Sequence, residues 1–131
     1  MVLRLTRNPS VTAFALILLF PWVVSPGCSR ESGPPPALSA EQLPVEFDKA
    51  FAKAKPGVKE LAARVSSAVQ AKDYAAAHQA VQALCAATDT TKTQKTLAER
   101  AFLTITDLLK TAQAQGDQKA AETLQDYRRS K

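Results

Sequence analysis

The chain has 131 residues, of which 46% are hydrophobic, 22% charged and 6% aromatic. This composition suits one folded domain and excludes a wholly disordered chain. Alanine supplies much of the hydrophobic share and there are only four glycines, which favours helices over a β-sandwich or barrel. One histidine and two cysteines exclude the usual four-ligand zinc site and a disulfide-dense scaffold.

The first 27 residues have the three-part order of an export signal. Arg4 and Arg7 precede an apolar run over residues 11–24, and small residues follow at 25–27. The apolar run is about 14 residues long, whereas a membrane-spanning helix needs about 20. The pattern therefore predicts a signal peptide over residues 1–27, with a retained anchor helix as the alternative.

The end of this signal carries a more specific pattern. Gly27-Cys28 resembles the lipobox of bacterial lipoproteins, although Ser25 stands where that family usually has leucine. The resemblance implies that the Cys28 thiol is lipidated and that Cys28 becomes the first residue of an anchored, exported chain. Ser29 then implies the outer membrane rather than the inner one. An ordinary signal-peptidase site is the alternative, and it would leave Cys28 free for a disulfide with Cys85.

Residues 28–43 contain Ser, Gly and three consecutive prolines. This composition predicts a disordered tether between the membrane and the folded domain. Loss of Arg4 and Arg7 with the signal leaves 15 basic residues against 12 acidic ones, or a net charge of +3. That excess is too small to indicate a nucleic-acid partner.

Apolar residues at helical spacing predict five helices in the remaining domain, residues 44–131. Asp73 and Asp117 are suited to cap helix starts, and Thr91 and Gln94 have the spacing of a capping box. Gly116 is suited to end a helix. The predicted helices cover residues 45–55, 58–71, 74–88, 92–115 and 118–129.

The two predicted helical turns have similar sequences, 44 residues apart (117 minus 73). They resemble the turn of the tetratricopeptide repeat, Gly-Asp-Tyr-x-x-Ala, although Lys72 stands where the first glycine belongs. The matching residues are Asp73, Tyr74 and Ala77 in the first turn and Gly116, Asp117 and Ala121 in the second. We therefore expect an all-α bundle of two antiparallel hairpins with a short N-terminal helix. The resemblance implies peptide or helix binding on the face formed by residues 58–71 and 92–115.

Catalytic patterns are missing from the sequence. His78 flanks an apolar stripe and is expected to be a half-exposed surface residue, while Cys85 lies on the stripe and is expected to be a small buried hydrophobe. There is no phosphate-binding glycine loop and no spacing that supplies a metal site. The sequence therefore predicts no enzyme activity, cofactor or metal.

These observations predict a membrane-anchored envelope lipoprotein whose helical domain binds an envelope protein or peptide. The alternative is an exported structural spacer that associates with itself and has no peptide ligand. A homodimer is possible, because an alanine-rich domain of this size has little core to spare. A tight homodimer would favour the spacer, and a monomer with an open groove would favour partner binding.

Overall fold

The computed structural model describes residues 36–131, and in this range the protein is all-α. Its helices are α1 (Gln42–Phe51), α2 (Pro56–Gln70), α3 (Tyr74–Ala86), α4 (Lys92–Ala114) and α5 (Gln118–Arg129). The five expected helices are therefore present, and α2 to α5 lie within two residues of their predicted bounds. Among the described residues, no helix is long and apolar enough to cross a membrane.

The first helix begins and ends earlier than predicted, at Gln42 rather than residue 45 and at Phe51 rather than residue 55. Ser39 and Gln42 exchange hydrogen bonds between side chain and backbone N–H, at 3.2 and 3.4 Å, which orders the turn before the helix. Pro44 lies in the first helical turn, where its missing N–H costs nothing because that donor has no partner within the helix. The expectation that helix begins only after Pro44 is therefore wrong.

The last part of the predicted tether is also folded. Leu38 and Leu43 are buried in the core. Arg100 Nε donates a hydrogen bond of 2.7 Å to the Pro36 carbonyl, and the Thr104 hydroxyl donates to the Leu38 carbonyl. Residues 36–43 thus lie against α4, because two leucines gain burial and two backbone carbonyls gain partners.

Helices α1 to α4 pack in a cycle. Helix α1 contacts both α2 and α4, and α3 contacts the same two helices. Their main core contains Phe47 and Phe51, whose rings lie 5.1 Å apart, together with Val65, Val81 and Ile105. Helix α5 packs outside this cycle, against α4 and α3.

The two hairpins, α2–α3 and α4–α5, are joined by the same kind of turn. Each has a residue with positive φ, Lys72 at 58° and Gly116 at 92°, followed directly by a capping aspartate. In each turn the aspartate N–H donates back to a helix carbonyl, from Asp73 to Ala68 and from Asp117 to Ala112. These are the bonds of a Schellman ending, and the next helix starts at once.

Candidate functional site

The predicted lipidation site, Cys28, lies outside the described residues. So do the predicted signal peptide and the first part of the tether. The Cys28–Cys85 disulfide and the lipid anchor therefore stay predictions.

An apolar groove runs between α3 and α4. It encloses about 550 Å³ and is lined mainly by carbon and sulfur atoms. Leu103 is 39% exposed there, which makes it one of the two large hydrophobic side chains exposed in the described part of the chain. The other lining residues are Gln82, Cys85 and Ala86 from α3 and Glu99 and Phe102 from α4.

Cys85 is half-buried in this groove and has no disulfide partner among residues 36–131. Burial raises the pKa of this thiol, and the nearby Glu99 carboxylate raises it further, while Lys95 acts in the opposite direction. The thiol is therefore protonated at neutral pH and is a poor nucleophile. The prediction that Cys85 is buried is confirmed only in part, because one side of the Cys85 side chain borders the groove.

The expectation that His78 is a half-exposed surface residue is wrong. His78 is 1% exposed, because α5 covers the face of α3 that a single hairpin would leave open. Its ring lies 5.2 Å from the ring of Phe102 on α4 and 5.1 Å from that of Tyr127 on α5. Phe102 and Tyr127 are themselves 5.8 Å apart, so the three rings form one cluster.

The imidazole in this cluster is poorly solvated. Its Nε2 has no hydrogen-bond partner among the described residues, and burial lowers the pKa of His78. A neutral ring is therefore the stable form at neutral pH. Phe102 belongs both to this cluster and to the apolar groove, so it connects α5 to the groove.

A second groove lies between α2 and α3. It is lined by alanines, including Ala63, Ala76 and Ala80, and the Glu60–Arg64 ion pair borders it at 2.6 Å. Helix α3 thus lies between the two grooves. The sequence predicts a binding face shared by residues 58–71 (α2) and 92–115 (α4). That prediction is wrong, because α1 and α3 each pack against both of these helices and lie between them.

No group of three or more His, Cys, Asp or Glu side chains in residues 36–131 is arranged to hold a metal ion. Comparison with known proteins found no match to a family model, a curated protein or a solved structure.

Proposed function

We propose that this chain is a lipid-anchored protein of a bacterial cell envelope, and that its helical domain binds a segment of another protein in the α3–α4 groove. The anchor rests on one observation, the Gly27-Cys28 pair at the end of an export-signal pattern. The domain acts by binding and does no catalysis. Outer-membrane attachment, implied by Ser29, is part of the same proposal.

The length of chain before the fold supports an anchored domain. The described fold begins at Pro36, where Arg100 binds the backbone. The chain from Cys28 to Pro36 spans eight residue steps, which can reach at most about 28 Å. A lipid on Cys28 would therefore hold the domain close to the membrane surface.

The groove favours an apolar partner segment. Its charged lining residue is Glu99, so acidic groups of the partner are expected outside the groove, beside the basic end of α5. Phe102 and Leu103 offer an apolar floor, which favours bulky aliphatic or aromatic side chains. At the α5 end, Lys131 Nζ lies 4.7 Å from the centre of the Tyr127 ring, and Tyr127 packs on Phe102. Arg128 is exposed on the same helix end. A carboxylate flanking an apolar anchor would complement this arrangement.

The anchor is tested by comparing wild type with Cys28→Ser after expression of the full chain in a bacterium. We expect wild type in the membrane fraction, with the mass of residues 28–131 plus a diacylglyceryl and an acyl group. Cys28→Ser should lose both the lipid mass and the membrane location. An unmodified wild-type protein in the soluble exported fraction would contradict the proposal.

The groove is tested with a photo-crosslinking amino acid at Leu103, and with the same group at exposed Gln70 on α2 as the matched control. We expect one discrete partner from position 103 in living cells, lost on Phe102→Asp and absent from position 70. The partner peptide should lose affinity when its acidic residues are replaced. A crosslink only to a second copy of the chain would instead favour the self-associating spacer.

A further inference from the structure

Helix α5 is held to the rest of the domain by few buried groups. Only Ala120 and Leu124 are buried along its twelve residues. Its N-terminal end is fixed by Lys119, whose ammonium donates to both Asp73 carboxylate oxygens at 2.8 and 3.0 Å. Its C-terminal end is fixed by Tyr127, which packs edge-on against His78.

The contact between Tyr127 and His78 at the C-terminal end of α5 is favourable when the His78 imidazole is neutral. His78 is buried at the junction of α3, α4 and α5, and its Nε2 has no acceptor nearby among the described residues. Adding a proton there places a charge between two aromatic rings without a hydrogen-bonding partner. Such a charge is costly to bury, whereas it is readily hydrated once the ring is open to water.

The charged groups around His78 offer it little compensation. From α5, Asp126 lines the same small cavity of about 230 Å³, but it faces Arg129 at 3.8 Å, and Lys131 lies on the Tyr127 ring. From α4, Glu99 borders the neighbouring groove beside Cys85.

On the α2 side of α3, the Glu60–Arg64 pair lies along the alanine groove, and its two charges offset each other. His78 Nε2 has no hydrogen-bond partner among residues 36–131, so none of the carboxylates there accepts a bond from that nitrogen.

We propose that the three-ring cluster is a pH-sensitive latch, in which protonation of His78 releases the C-terminal half of α5 from α3 and α4. Release takes Tyr127 away from Phe102 and so opens the end of the α3–α4 groove. The Asp73–Lys119 pair keeps the N-terminal end of α5 attached. The Asp73 carboxylate accepts hydrogen bonds from Lys119 and from the Ala76 N–H, and these bonds lower the pKa of Asp73 and keep it charged.

The direction of the pH effect follows from linkage. Burial lowers the pKa of His78 in the docked state, so the released state binds more protons. Docking is therefore strongest above the ordinary imidazole pKa of about 6.5. It weakens as the pH falls through that value, by at most about tenfold per pH unit, and levels off below the pKa of the docked ring.

The first measurement is an NMR titration of the full chain. His78 is the single histidine, so its ring protons give an unambiguous signal. We expect its pKa to lie clearly below about 6.5. An equal or higher pKa overturns the latch, and so does a ring that remains unprotonated at pH 4.5.

The second measurement is amide hydrogen exchange at pH 7.5 and 5.0, corrected for intrinsic rates. In wild type, protection over residues 123–129 should fall about tenfold at pH 5.0, while that of α2 should stay within about twofold. His78→Phe retains an aromatic ring and should show no such fall. An equal fall in protection in His78→Phe overturns the proposal. If His78→Phe fails to fold, the NMR titration still tests the latch, because it uses the wild-type chain.

Discussion

The two hairpins of this domain have the same turn but divide their buried residues differently between their two helices. Lys72-Asp73 and Gly116-Asp117 make the same backbone bonds, and each aspartate side chain accepts a hydrogen bond from an alanine N–H three residues on. Helices α2 and α3 bury five residues each, whereas in the second hairpin α4 buries eight and α5 only two. A turn is specified by a few local residues, but burial depends on how many neighbours surround a helix. Helix α5 packs mainly on one side, so we infer that it is the least stable element of the described fold.

The largest effect should come from the main core. Phe47 is fully buried against Phe51, and Phe47→Ala should lower the free energy of unfolding by about 3–5 kcal/mol, because it leaves a cavity. Val45→Ala is the control, since Val45 is 63% exposed on the same helix. Urea denaturation should show a change below about 0.5 kcal/mol for this control. Equal losses for the two variants would mean that α1 does not belong to the core.

A core substitution in α5 should have a smaller and more local effect. Leu124 is buried in the second, smaller cluster with Leu109 and Ala112. Leu124→Ala should cost about 2 kcal/mol, at the low end for such changes, because this edge can relax. Hydrogen exchange should show faster opening of α5 with little change in α2. A uniform increase in exchange across all five helices would remove the contrast between the hairpins.

The capping aspartate of the first hairpin also holds α5, so its two roles can be separated. Asp73→Ala removes both the cap and the bond to Lys119 and should cost about 1 kcal/mol or slightly more. Asp73→Asn can still cap the helix and should lose only the ion pair. That pair is half-exposed and contributes about 0.5 kcal/mol or less. Chemical denaturation of both variants measures the difference.

The pH dependence of this pair has a definite sign. The hydrogen bond from Lys119, followed by that from the Ala76 N–H, lowers the pKa of Asp73 in the folded state. Its stabilising effect is therefore present above the ordinary aspartate pKa of about 4 and is lost as the pH falls through the folded value. The stability of wild type and Asp73→Asn should converge in acid. A gap that persists at pH 2 would contradict this assignment.

Effects of a similarly small size should come from the turn residues with positive φ. Gly116 has φ of 92°, outside the region that side chains adopt readily, so Gly116→Lys should cost about 1 kcal/mol. Lys72 at 58° lies within the left-handed region, so in Lys72→Gly the relief of strain is offset by the added freedom of the unfolded chain. We expect a change below about 0.5 kcal/mol for that variant, measured by thermal unfolding. Equal effects of the two substitutions would show that the turns are interchangeable.

Local signals in the sequence predict much of this fold. The capping box of Thr91 and Gln94, the aspartates at 73 and 117, and Gly116 are all found where their residue types place them. Each of these features is satisfied within four or five residues of chain. Lys72 is instructive, because the tetratricopeptide turn has glycine there, and the structure gives this lysine the positive φ that glycine favours.

The features that the sequence does not reveal depend on distant contacts. Leu38 is buried because its carbonyl meets Thr104, 66 positions away, although its surroundings are rich in proline. His78 is buried because Tyr127 comes from α5, and apolar periodicity within α3 alone does not predict that cover. The Ser39–Gln42 pair was a readable signal for an earlier start of α1, since it has the same spacing as the recognised capping box.

Native-state hydrogen exchange at pH 7.5 in increasing, sub-denaturing urea tests the contrast between the hairpins most directly. Amides of α5, residues 118–129, should exchange through an opening of lower free energy and smaller urea dependence than amides of α3. Those of α1 to α4 should exchange together at the free energy of global unfolding. If α5 and α3 shared one opening free energy and one urea dependence, α5 would be an integral part of the core and the inferred difference between the hairpins would be wrong.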